Sequence, residues 1–286
     1  MDQSENDSLK GKSRGIWIIA ATIIILLIAG AAFYYFKNGK KLTNNLDEGK
    51  KNEVDLSQLI QADFIDLDKI AMISKFRSGS GHDFSGNGET CRSMKHYFAP
   101  PYNQAGDELR SKNNGMPPGP DGKTDISIFS PVDGKITGVQ KEQTPIGEQI
   151  YIEPDSTSKF TIRLFHIYLD PGIKKGSTLK AGQKIGVIGQ YSSTDIAIQE
   201  SSWNKKGKYY SYFEAMPDDI FSKYQAKGIK SREELIFTKE YRDANPLQCN
   251  GEQFSISYDS DPNSGNYVYL SGYNPSDYSS SGSGTR

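Results

Sequence analysis

His82, His96 and His166 are the only three histidines of the 286-residue chain. His82 directly precedes Asp83, Glu89 and His96 follow within the same stretch, and His166 sits in LFHIYL with Asp195 further on in DIAI. Imidazole together with carboxylate is a donor set that suits zinc. A hydrolytic zinc needs three protein ligands and an open position, where bound water is acidified to a pKa of about 7. A set of His82, Asp83, His166 and Asp195 would supply enough donors if the fold made them converge, with His96 and Glu89 as further candidates. Neighbouring residues of a strand point to opposite faces, however, which argues against His82 and Asp83 sharing one ion. The two cysteines, Cys91 and Cys249, form no C-x-x-C metal pair. One long-range disulfide between them fits an oxidising, extracytoplasmic location, the alternative being two unrelated buried thiols.

The elements that must position these groups read as strands. EQIYIEP, KFTIRLFHIYL, KIGVIG and DIAIQE are alternating or β-branched runs, and closely spaced glycines between 172 and 189 leave no room for helices. In DISIFSPVDGKITGVQ the Asp133-Gly134 pair predicts a hairpin turn between two strands. Two helices are expected after this all-β core: PDDIFSKYQAKG, ending at Gly228, and SREELIFTKEYRDANP, with Ser231 and Glu234 in capping-box spacing. The proline-rich stretch from 91 to 123 shows no period and predicts a long loop inserted in the sheet.

Outside this core, residues 15–36 carry no charged side chain, and as a helix they would extend roughly 33 Å, enough to cross a bilayer. That length favours a retained transmembrane anchor over a cleaved signal peptide. The expected organisation is a cytoplasmic tail over 1–14, a transmembrane helix over 15–36, a charged linker over 37–54, an extracytoplasmic domain over 55–270 and a Ser- and Gly-rich disordered tail over 271–286. Three basic residues flank the span on each side, so charge bias does not set its orientation. The net charge is −1. There is no basic run flanked by aromatics, and no nucleic-acid partner is expected. The 17 tyrosines suit strands or an exposed binding face.

Taken in order, GSGHDF (79–84), SPVDGKI (130–136), LFHIYL (164–169), IKKGSTLKAGQKIGVIG (173–189) and DIAI (195–198) resemble the LytM/lysostaphin-type zinc endopeptidases. The resemblance covers about residues 76–200 and implies a duplicated hybrid motif, a β-sandwich or barrel-like core. It is a degenerate resemblance. The family's first zinc histidine falls on Gly79 and its closing H-x-H on Asp195 and Ala197, while the zinc aspartate and the middle-strand histidine persist as Asp83 and His166. One expected ligand of three survives, so neither bound zinc nor another cofactor is expected, and His166 and Asp83 read as catalytic remnants. Lipoylation or biotinylation is not expected either, because Met94-Lys95 lies in the insert and not at a hairpin tip. The resemblance implies a non-catalytic module that binds or regulates a cell-envelope peptide, glycan or protein. Its rival is a zinc metalloendopeptidase with relocated ligands.

Overall fold

The computed structural model describes residues 55–101, 104–142, 146–200, 207–255 and 265–274. The expected N-terminal tail, transmembrane helix and linker lie outside these residues, as does the expected C-terminal tail of 271–286 from 275 onward. Its first residues are ordered, Ser271 N donating to Lys227 O and Tyr273 packing against the core. Among the described residues no helix is long and apolar enough to cross a membrane.

The protein is mainly β. Eleven strands build one antiparallel sheet, centred on β6 (Phe160–Leu169) and β9 (Thr194–Glu200). On one side of this pair run β5 (Glu148–Pro154), β4 (Gly134–Lys141) and β7 (Thr178–Leu179). On the other run β2 (His96–Ala99), β1 (Met72–Ser74) and β13 (Tyr267–Tyr269), while β10 (Lys208–Tyr210) borders β9. The end of β6 leaves this row and pairs with β8 (Lys184–Ile188), which in turn carries β3 (Ile126–Phe129). The alternation foreseen in β5, β6, β8 and β9 has its physical cause in the core. Ile150, Ile152, Ile162, Leu164, Ile196 and Ile198 all point inward and are buried. Each such side chain contributes about 1.5–3 kcal/mol by leaving water. β9 departs from alternation, since its first five residues are buried on both faces. The outer face of the sheet is therefore covered at that point.

Three expectations need correction. Asp133-Gly134 does not turn a hairpin, because β3 pairs with β8 and β4 with β5 and β7. The Asp133 carboxylate instead accepts from Lys180 Nζ (2.8 Å) and Ala181 N (2.8 Å), tying the crossover to a second loop. The stretch 91–123 is not all loop: it contains β2 and helix α1 (Gln104–Lys112). Four residues are too few to show a period, yet β2 is held on both edges by β1 and β9. Of the two C-terminal helices, the first is present as α2 (Asp218–Ala226), burying Ile220, Phe221 and Tyr224. The second breaks. A 3-10 turn over Arg232–Leu235 ends at extended Ile236, and α3 (Lys239–Ala244) starts afresh at Thr238, whose side chain accepts from Tyr241 N. Ser231 makes no side-chain cap. Phe76 takes the place of helix continuation, exchanging backbone bonds with Leu235 and Phe237.

Cys91 and Cys249 are joined by a disulfide, with sulfurs 2.06 Å and Cα atoms 5.7 Å apart. It fastens the insert to the short two-stranded ribbon of β11 (Cys249–Asn250) and β12 (Gln253–Phe254). Beside it, Glu89 bridges Arg77 (2.7 Å) and Arg92 (2.8 Å), and Arg92 reaches on to Asp243 (2.8 Å).

Candidate functional site

Where β9 is covered, the covering group is a lysine. Lys95 immediately precedes β2, and β2 pairs with β9 so that Tyr97 faces Asp195 and His96 faces Ile196. On its other flank Asp195 faces Phe165 of β6. β6 changes register there, Glu148 facing Ile167 while Ile150 faces Leu164, so Phe165 and His166 together oppose Gln149. This bulge keeps Leu164 and Ile167 in the core and turns both Phe165 and His166 to the outer face. His166 adopts φ 62° to do so, a conformation that costs a non-glycine residue about 1–3 kcal/mol. Gly147 makes the bulge possible. A Cβ at that position would sit 2.8 Å from the His166 carbonyl carbon.

The result is a chain of alternating charges. Glu142 Oε2 lies 2.5 Å from His166 Nδ1, His166 Nε2 lies 3.1 Å from Asp195 Oδ1, and Asp195 Oδ2 lies 2.5 Å from Lys95 Nζ. Lys95 is 2% and Asp195 0% exposed, so each charge is costly to bury without the other. The ammonium is boxed by three rings, 4.4 Å from the Phe165 centroid, 4.8 Å from Tyr97 and 4.9 Å from Phe84. His82 completes the group, its Nε2 3.4 Å from Lys95 Nζ and its Nδ1 3.0 Å from the Asp83 carbonyl oxygen. Tyr97 packs so closely that Gly81 admits no side chain. Next to the cluster, Arg163 lies over the Phe84, Phe165 and Tyr151 rings and within reach of Tyr209 and Gln199.

These charges decide what the centre can do. Burial pulls the His166 pKa down, but Asp195 and Glu142 outweigh it and push it up to about 10. Burial likewise works to raise Asp195, yet Lys95 and His166 hold its carboxyl well below the usual carboxylate range. At neutral pH His166 is an imidazolium with both N–H groups turned to carboxylates. It has no lone pair to act as general base or to ligate a metal.

The residues do not fit a zinc ion. Gly79 has no side chain to donate, and its N–H donates to Asn266 Oδ1 at 2.9 Å, while Ala197 is buried beside Arg163 in the β6–β9 pairing. The Asp83 carboxylate accepts from Arg92 N at 3.1 Å. Of the relocated set, His82, His166 and Asp195 do gather, but around an ammonium. His96 is far from free: its ring bonds Ser74 O and Ser211 Oγ, both at 2.8 Å, and burial lowers its pKa to about 4. Glu89 is committed to the two arginines. Among the described residues no group of three His, Cys, Asp or Glu side chains is arranged to hold a metal. Sequence reasoning missed Lys95 and Glu142. The one available signal for Lys95 was its place two residues before Tyr97 and directly beside His96, in a run that pairs as a strand.

The two histidines give opposite pH dependences. His166, raised from 6.5 to about 10, contributes stability that is complete below pH 6.5 and is lost as the pH climbs toward 10. His96, lowered from 6.5 to about 4, contributes stability present above pH 6.5 and lost as the pH falls toward 4. Urea midpoints should therefore pass through a maximum near pH 6.5, and His166→Gln should flatten the alkaline limb while leaving the acid limb in place. An alkaline limb unchanged in that variant would contradict the paired imidazolium.

No family model matches the chain, and no curated protein matches it in sequence. Solved structures similar to it include SpoIIQ in the "SpoIIQ-SpoIIIAH pore forming complex", at 12% identity and a TM-score of 0.35, covering 56% of this chain and 92% of that one. A "putative glycyl-glycine endopeptidase lytM" from Ruminococcus gnavus is 14% identical with a TM-score of 0.28, covering 50% of this chain and 59% of that one. Lysostaphin is 17% identical with a TM-score of 0.23, covering 46% and 49%. LytM-type peptidases, lysostaphin and SpoIIQ are thus what the chain is similar to, each over part of its length.

Proposed function

We propose that this chain is a membrane-anchored, extracytoplasmic module with a duplicated hybrid motif and no peptidase chemistry, binding or regulating a cell-envelope component. One observation carries the reading. At Asp195, where the resemblance expects a histidine, stand the Lys95 ammonium and the His166 imidazolium, neither with a lone pair for a metal or a proton. The half-buried face beside it, with Arg163, Tyr151, Tyr209 and Gln199, offers aromatic rings and hydrogen-bonding groups to a peptide, glycan or protein. The charge-free span 15–36 supports the anchor, and the Cys91–Cys249 disulfide supports an oxidising compartment.

The full chain, loaded with zinc and dialysed, is expected to hold no stoichiometric metal and to leave envelope peptides uncut. Tight zinc together with turnover that disappears in Asp195→Ala would establish the relocated-ligand peptidase instead. Binding is checked with solubilised envelope, from which the chain should capture a component and Arg163→Ala should capture much less. Equal capture by the variant would place the binding face elsewhere.

A further inference from the structure

Lys95 Nζ and Asp195 Oδ2 are 2.5 Å apart, inside the about 2.7–2.9 Å usual for ammonium–carboxylate bonds. The exposed Lys227–Asp68 pair is equally short, but Lys95 and Asp195 meet out of water, at 2% and 0% exposure. Both oxygens of Asp195 are fully buried, with Lys95 Nζ at Oδ2 and His166 Nε2 3.1 Å from Oδ1. The nitrogen thus faces the carboxyl group from one side, and a proton donor stands on the other. The nitrogen is held there in a box of three aromatic rings, on two strands that are already paired.

From this geometry we propose that Lys95 and Asp195 join by an isopeptide bond between Nζ and Cγ, welding the start of β2 to β9. The neighbours supply what the reaction needs. His82 Nδ1, against the Asp83 carbonyl oxygen, carries its hydrogen and donates it there, leaving the Nε2 lone pair toward Lys95 Nζ at 3.4 Å. His82 takes a proton from the ammonium, and the free amine attacks Cγ. His166 Nε2, 3.1 Å from Oδ1, donates to the oxygen as charge builds on it. The C–Oδ1 bond breaks and that oxygen leaves as water. Nitrogen gives one hydrogen to His82 and one to the departing oxygen, which takes its other from His166; the two imidazoles then restore their protons by exchange with solvent, and no oxidant or co-reactant is consumed. Amide formation from separate molecules in water is unfavourable, but groups held in contact react with effective molarities of about 10⁵–10⁸ M. Afterwards His166 remains paired with Glu142.

Intact mass of the full-length chain decides the matter. The expected mass is lower by one water than that of the disulfide-bonded sequence. After reduction, trypsin should leave a branched peptide uncut at Lys95 and linked to the segment containing Asp195. Lys95→Arg, which keeps the cation, should return the full mass. Asp195→Asn should lose ammonia in place of water. His82→Gln removes the base and should slow formation by about 10²-fold or more. The full mass in the unsubstituted chain overturns the proposal. So does a water loss that maps to Asp121-Gly122 or Asp133-Gly134, where a succinimide has the same mass. The mass is read independently of metal content and turnover, so either proposal can fail alone.

Discussion

Lys95→Met is expected to lower the unfolding free energy by about 3–5 kcal/mol, the cost of leaving a buried partner charge uncompensated. Asp195 is 0% exposed, and without Lys95 its remaining cationic neighbour is His166. Methionine fills a similar volume and keeps contact with Phe84, Tyr97 and Phe165, so the loss reports charge more than packing. The double variant Lys95→Met/Asp195→Leu should recover most of this loss, since an apolar pair removes both desolvation costs. Urea midpoints of the two variants give the answer. If the single variant unfolds within about 0.5 kcal/mol of the parent, as surface substitutions do, the cluster is not a buried charge network. Any covalent bond between the two residues adds to the loss in the single variant and limits recovery in the double.

The second large effect belongs to the disulfide. Cys91 and Cys249 are separated by 158 positions. A loop of that length constrains the unfolded chain by about 5 kcal/mol in the chain-entropy account. The double Cys91→Ser/Cys249→Ser variant should lose a large part of that. The loss of hydrogen-exchange protection should be greatest around residues 75–94, which the disulfide and the Arg77–Glu89–Arg92 network hold together. The arginine bonds persist in the variant, so the shortfall from about 5 kcal/mol measures how far they hold that segment alone. Unchanged urea midpoints with and without reductant would mean that the unfolded chain is already constrained there.

The sheet was legible in the sequence where burial on one face imposes alternation. β5, β6, β8 and β9 lie close to the segments that their β-branched residues mark, and Asp195 was named within the β9 segment, though as a metal-ligand candidate and not as the partner of a lysine. The centre was less legible, for three physical reasons. A lysine is almost never fully buried unless paired, and its pair here lies on a strand one hundred residues away, so nothing local marks Lys95. Strand alternation would have sent Phe165 and His166 to opposite faces. Only the bulge, which depends on a glycine in the preceding loop, puts both outside. Glu142 sits just past the end of β4 in a position that sequence period does not reach. The broken second helix follows the same logic: the capping-box pattern was present, but Phe76 offered Leu235 and Phe237 a strand-like partner from the far end of the domain.

The pairing of β1 with β13, Ser74 opposite Tyr267 and Met72 opposite Tyr269, carries a consequence in time. Roughly two hundred residues must be synthesised between the two, which at about 5–20 residues per second takes some ten to forty seconds. Until then β1 has an open edge, and so has any chain stalled or truncated before 267. Cys249 also emerges late, so Cys91 must stay a thiol for most of that interval. An unsealed strand is a template for another chain's strand. A nascent or truncated copy ending before β13 is thus the form of this protein most prone to pair with its own kind, and the last residues of the fold are the ones that close it to such partners.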